Sequence, residues 1–258
     1  MFGLNLPEYG MEQWIALCLC AVLVGMSKTG LPGLGIFNVP MLAIAFAAKA
    51  STGLMLPLLA FADLFAVGYY HRHARWSHVL KLLPWALVGI GAGCLIMRYC
   101  NIQDTHMKPI IGVIVLVMLA VNFWRQRKGN ALDIPTHWAF AASLGFFAGL
   151  TTQLANAAGP VMVLYLLAMR LPKEEFMGTG AWYFLILNYL KIPLFIFDGR
   201  ISWDSIRADA VAAPFIIVGI VAGIWLLKRI PQRAFNITVQ IFASLAGLWL
   251  IVSVLTGK

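Results

Sequence analysis

The chain has 258 residues, 61% hydrophobic and 11% charged, with a formal net charge of +9. Apolar runs of about twenty residues recur along it, which excludes a soluble globular domain and predicts an all-α polytopic membrane protein. The basic residues lie in short clusters between those runs and form no continuous face, so the charge points to orientation in a bilayer and away from nucleic acid.

In chain order, apolar segments are predicted near 13–27, 29–48, 50–70, 79–97, 109–124, 138–149, 150–169, 176–197, 208–227 and 234–257. The start, MFGLNLPEYGMEQW, has neither a basic n-region nor a small-residue cleavage site, so the first apolar run is expected to stay in the mature chain. Cys18, Cys20, Cys94 and Cys100 lie in or beside apolar segments without a CxxC or a set of histidines around them. They read as small packing residues, and neither a metal site nor a cofactor is expected. HExxH, GxSxG and paired carboxylates are missing, and His71, His73, His78, His106 and His137 fall in loops or at segment ends, so no enzymatic activity is expected.

Two stretches are too long for one crossing and too short for two ordinary ones. Residues 138–169 carry no charge, and 13–48 is interrupted only by Lys28. Each reads as a helix, a break and a second helix, either crossing with short arms or re-entrant. The breaks are placed in GMSKTGLPGLG (25–35) and GLTTQLANAAG (149–159), two stretches of equal length.

Internal repetition runs along the same lines. With Gly25 set on Gly149, Gly35 falls on Gly159; slightly larger offsets pair Gly53 with Gly178, Asp63 with Asn188, and PWALVGIGAG (84–93) with PFIIVGIVAG (214–223). The chain therefore reads as two copies of about five helical segments, 1–128 and 129–258, forming one integral membrane domain. An odd number of segments inverts the second copy in the membrane. The basic clusters Arg72, Arg75 and Lys81, Arg125, Arg127 and Lys128, Arg170 and Lys173, and Lys228, Arg229 and Arg233 all lie on one side in that arrangement. This predicts both termini outside the cytoplasm.

A helix broken at membrane depth frees backbone groups that lipid cannot satisfy, so it persists only against protein or a watery cavity. Half-helix starts present N–H groups that favour anions. The first break offers Ser27, Lys28, Thr29, Gly30, Gly33, Gly35 and Asn38 to such a site; the second offers Thr151, Thr152, Gln153, Asn156 and Gly159, with Trp182 and Asn188 as further lining candidates. Lys28 is expected to attract the anion. Asp63, the only acidic residue well inside an apolar segment, is expected to couple transport to a proton, its competing role being that of a buried partner to Lys28 or Lys191. Lys191 is expected to snorkel toward the interface. The pairs Gly89/Gly93 and Gly219/Gly223 have the spacing of close helix packing.

GLPGLGIFNVPMLA at 30–43, its weaker echo at 149–164 and the two-copy layout with a basic central loop resemble the TauE/SafE sulfite and organosulfonate exporter family over essentially the whole chain. The resemblance implies a secondary transporter in the cytoplasmic (inner) membrane of a prokaryote, moving sulfite, sulfoacetate or another organosulfonate. The partners compatible with it are the small anionic substrate, the lipid bilayer, a coupling proton or sodium ion, and a second copy in a homodimer. An anion channel using the same half-helix ends without coupling is the alternative.

Overall fold

A computed structural model describes residues 7–31, 34–99, 113, 117, 138–231, 234 and 237. The predicted segments 109–124 and 234–257 lie outside the described residues save Val113, Val117, Ala234 and Ile237, as do Gly33, Cys100, His106, Arg125, Arg127, Lys128, Arg233 and His137.

The described elements are all helical: α1 (Met11–Thr29), α2 (Gly35–Ala45), α3 (Ala48–Tyr70), a 3-10 turn (His71–His73), α4 (Trp76–Tyr99), α5 (Trp138–Ala155), α6 (Gly159–Ala168), α7 (Lys173–Phe197) and α8 (Trp203–Arg229). Five of the helical stretches, Met11–Thr29, Ala48–His73, Trp76–Tyr99, Lys173–Phe197 and Trp203–Arg229, are long and apolar enough to cross a membrane. The bundle is apolar outside as well as inside. Leu19 on α1, Val88 and Leu95 on α4, and Val218 and Val221 on α8 are all exposed, which water would not tolerate over so wide a surface but lipid does.

Local chemistry explains the starts of two spans. Gly10 N–H donates to Gln13 Oε1 at 2.9 Å ahead of α1. At α8, Ser202 and Ser205 bond reciprocally, N–H to Oγ, at 2.9 and 3.1 Å. The first break ends α1 at Thr29, where Gly30 and Leu31 N–H both return to the Met26 carbonyl. The second break is narrower than expected: α5 runs on through Gly149–Ala155, and only Asn156–Ala158 interrupts it. Asn156 makes the turn with φ 54°, a left-handed conformation that asparagine tolerates better than most residues.

Each break leads into a short helix. α2 has 11 residues and α6 has 10, so each is about 15–17 Å long, half of a hydrocarbon core of about 30 Å.

Glycines set the packing of the outer helices. A methyl group on Gly25 of α1 would overlap the Ile216 carbonyl of α8, and one on Gly219 would overlap the Val22 carbonyl. Likewise Gly149 of α5 lies against the Ala86 carbonyl of α4, and Gly89 against the Phe146 carbonyl. Gly149 is therefore a packing residue inside a helix, which is why α5 does not break there. α3 and α7 pack against each other between these two pairs.

Candidate functional site

The two breaks face one cavity. Its polar wall comes from Ser27 and Lys28 at the end of α1, Gly35 at the start of α2, Thr152 and Asn156 at the second break, Gly159 at the start of α6, and Asn188 of α7. Met55, Leu59, Met162 and Phe184 are among its apolar lining. Neither α2 nor α6 has a side-chain cap at its N-terminus. A Cβ added at Gly159 would meet nothing within 4 Å, so a ligand can approach that backbone closely.

The charges are organised around α3. Lys28 Nζ stands 2.7 Å from Asp63 Oδ1, with Asp63 fully buried. Asn188 Nδ2 donates to Asp63 Oδ2 at 2.6 Å, so the aligned pair Asp63 and Asn188 meets directly across the α3–α7 contact. The Lys28 ammonium also lies 4.1 Å from the centre of the Phe184 ring, a cation–π contact at the cavity wall. This ion pair is the contact that the buried-partner role of Asp63 calls for. Asp63 is a paired carboxylate, because a lone one at this depth would carry its full desolvation cost. Lys28 belongs to the last turn of α1 and not to the start of the next half-helix, a position where a cation complements the negative end of the helix dipole.

Lys191 departs furthest from expectation. It is completely buried and does not snorkel. Its ammonium donates to Thr152 Oγ1 and Asn156 Oδ1, both at 2.7 Å, and to the Thr152 carbonyl at 3.2 Å. Asn156 in turn donates Nδ2 to the Thr52 carbonyl at 2.8 Å, which ties the second break to α3. Lys191 stands three positions after Asn188 and so shares its helix face; that spacing is the signal in the sequence for its inward direction.

Other candidates are not among the described residues that line the cavity. Thr29 Oγ1 donates to the Gly25 and Ile220 carbonyls at 2.8 and 3.1 Å, and Thr151 Oγ1 donates to the Phe147 carbonyl at 2.7 Å. Gly30 packs on Gly223. Trp182 packs against Trp76 with ring centres 5.0 Å apart and planes tilted by 47°, beside Ala66 and Val67. Asn38 and Gln153 are both fully buried, and among the described residues their side-chain amides have no hydrogen-bond partner. Gln153 lies against Gly93.

Two residues beyond the candidate set hold the ends of the broken helices. Tyr70 Oη donates to the Thr29 carbonyl at 2.7 Å. Arg200 Nη1 donates to the Gln153 carbonyl at 3.0 Å, while Nη2 pairs with Asp198 Oδ2 at 3.0 Å and also contacts Met97 Sδ. Burial lowers the pKa of the Arg200 guanidinium, and Asp198 opposes that shift. Among the described residues no group of three His, Cys, Asp or Glu side chains could hold a metal ion.

Compared with known proteins, residues 17–250 match the family model described as Sulfite exporter TauE/SafE. No curated protein matches the chain, and no solved structure does.

Proposed function

The chain belongs to the TauE/SafE sulfite exporter family, and from that premise we propose that it is a secondary transporter of a small sulfur-containing anion, sulfite or an organosulfonate, driven by the proton gradient. The observation that carries this reading is the Lys28–Asp63 ion pair at the cavity where the two helix breaks face each other.

The proposed chemistry is one of competition. In the empty site Asp63 supplies the counter-charge for Lys28. An incoming anion takes hydrogen bonds from the N–H groups at the starts of α2 and α6 and from the amide of Asn188, and it displaces the carboxylate from Lys28. A buried carboxylate that loses its cation is stabilised by taking up a proton, so anion and proton load together and cross in the same direction.

Alternating access would come from the two inverted copies, 1–128 and 129–258. Equivalent contacts support that division: Gly25 on Ile216 has its counterpart in Gly149 on Ala86, and Gly219 on Val22 has its counterpart in Gly89 on Phe146. The α1–α8 and α4–α5 pairs are thus the same packing used twice, the relation expected of repeats exchanged by a two-fold axis. The basic clusters then face the cytoplasm, the termini lie outside it, and the membrane is the inner membrane of a prokaryote.

Flux into liposomes containing the purified protein tests the reading. Sulfite or sulfoacetate uptake should accelerate when an inward proton gradient is imposed, and should show counterflow exchange. Flux that follows the anion's own gradient, with no response to pH and no counterflow, would favour the channel alternative.

A further inference from the structure

The Lys191 ammonium sits in a ligand set that suits a free monovalent cation. Three neutral oxygens surround it: the carbonyl and hydroxyl of Thr152 and the amide oxygen of Asn156, at 2.7–3.2 Å. The fourth side is the ring of Phe195, whose centre is 5.4 Å away. Among the described residues no carboxylate lies within ion-pair distance of it. This is how broken helices hold coupling ions: the C-terminal carbonyls of the first half-helix, at the negative end of its dipole, join side-chain oxygens at the break. The backbone is held in place for it by two independent features, the left-handed turn at Asn156 and the Asn156 Nδ2 bond to the Thr52 carbonyl.

We propose that the second helix break is a monovalent-cation site occupied by a tethered cation, the Lys191 ammonium, so that the protein needs no sodium or potassium ion there. Among the described residues, Lys28, Asp63 and Lys191 stand at or next to the cavity wall, and with all three ionised their charges sum to +1. That excess suits one anionic charge on a ligand. The consequence for transport rests on the proposed anion-transport reading; the cation site itself does not.

The test uses Lys191→Ala in the full chain, purified in detergent. Its melting midpoint is compared with that of the unaltered protein in sodium, potassium and choline chloride at equal ionic strength. Expected is a loss of several degrees in choline that sodium or potassium largely restores, with no cation preference in the unaltered protein. A variant indifferent to the cation, or an unaltered protein stabilised equally by sodium, overturns the proposal. Lys191→Ser is made alongside; if neither variant is recovered folded in any of the three salts, a free cation does not replace the ammonium and the proposal fails. Liposome flux of sulfite by the unaltered protein separates the two readings. Flux unchanged when choline replaces sodium is expected. Absence of any flux with cation-dependent melting of the variant retained would sink the transport reading and leave the cation site standing.

Discussion

Asp63 of α3 is held from two other helices, by Lys28 Nζ at 2.7 Å from α1 and by Asn188 Nδ2 at 2.6 Å from α7. Its two oxygens are thus committed to one cation and one neutral donor, and the neutral donor is the residue that aligns with Asp63 itself. A carboxylate in that setting is stable only while its cation stays.

Asp63→Asn should abolish proton-driven accumulation while leaving counterflow exchange measurable. The variant keeps the side-chain volume but strands Lys28, and breaking one side of a buried pair costs about 3–5 kcal/mol. A lower melting midpoint is therefore expected with it. Neutralising both partners, Lys28→Gln with Asp63→Asn, should recover most of that stability and still show no response to a pH gradient. If the double variant accumulates substrate as the unaltered protein does, Asp63 serves structure and coupling lies elsewhere.

Lys28→Ala tests the anion end of the same pair. Loss of a charge-assisted contact to a carboxylate or oxyanion is worth about 1.5–3 kcal/mol, so substrate affinity measured by isothermal calorimetry should fall by one to two orders of magnitude. Asn188→Ala keeps the cation and removes one donor, and should weaken binding less. Equal and small effects from both would place the anion away from Lys28.

Much of this arrangement is legible in the sequence, and where it is not the reasons are physical. Glycine and proline mark the two breaks because a helix cannot continue cheaply through them, and the alignment of Asp63 with Asn188 pairs two residues that touch. The second break lies later than its glycine suggests because Gly149 serves close packing on Ala86, a role that leaves the same mark in a sequence as a helix end. The turn itself is made by Asn156, in a left-handed conformation that a sequence does not announce. Lys191 defies its sequence position for a similar reason: a lysine near a span end snorkels unless oxygens await it inside, and those oxygens, on Thr152 and Asn156, belong to another helix and its break.

The glycine contacts make a stability prediction with its own controls. Gly25→Val and Gly149→Val both place side-chain atoms where a facing carbonyl stands, so each should lower the melting midpoint, by overpacking costs of about 1–3 kcal/mol. Gly91→Ala has open space around the new methyl and should be neutral or stabilising by about 0.4–1 kcal/mol. Similar losses at positions 25 and 149 are expected if the two helix pairs are equivalent; loss at one and tolerance at the other would argue against the paired architecture.

Gly159 separates binding from packing. It lines the cavity at the first position of α6, and an added methyl would meet nothing within 4 Å, so Gly159→Ala has no steric reason to unfold the protein. The methyl would instead stand where an anion approaches the uncapped N–H groups. Sulfite uptake should therefore fall several-fold while the melting midpoint stays within about 2 °C, since surface-like changes that touch nothing shift stability by at most about 0.5 kcal/mol. Unchanged uptake would remove the start of α6 from the binding site and leave the α2 end with Lys28 to hold the anion.

The orientation of the chain is the last expectation, and it can be read without any substrate. Arg75 lies just before α4 and Asp204 in the first turn of α8, both exposed. Arg75 is bound to Glu175 by two contacts of 2.6 and 2.7 Å, and the pairing raises its pKa, so it keeps its positive charge at any pH a cell meets. A basic turn of that kind belongs on the cytoplasmic side, whereas the start of α8 carries Asp204. With the native cysteines replaced by alanine or serine, a single cysteine at position 204 should react with an impermeant thiol reagent added outside intact cells. One at position 75 should react only after the membrane is opened. Reaction of both from outside would contradict the topology derived from the inverted copies, and the opposite pattern would turn the whole chain over in the membrane.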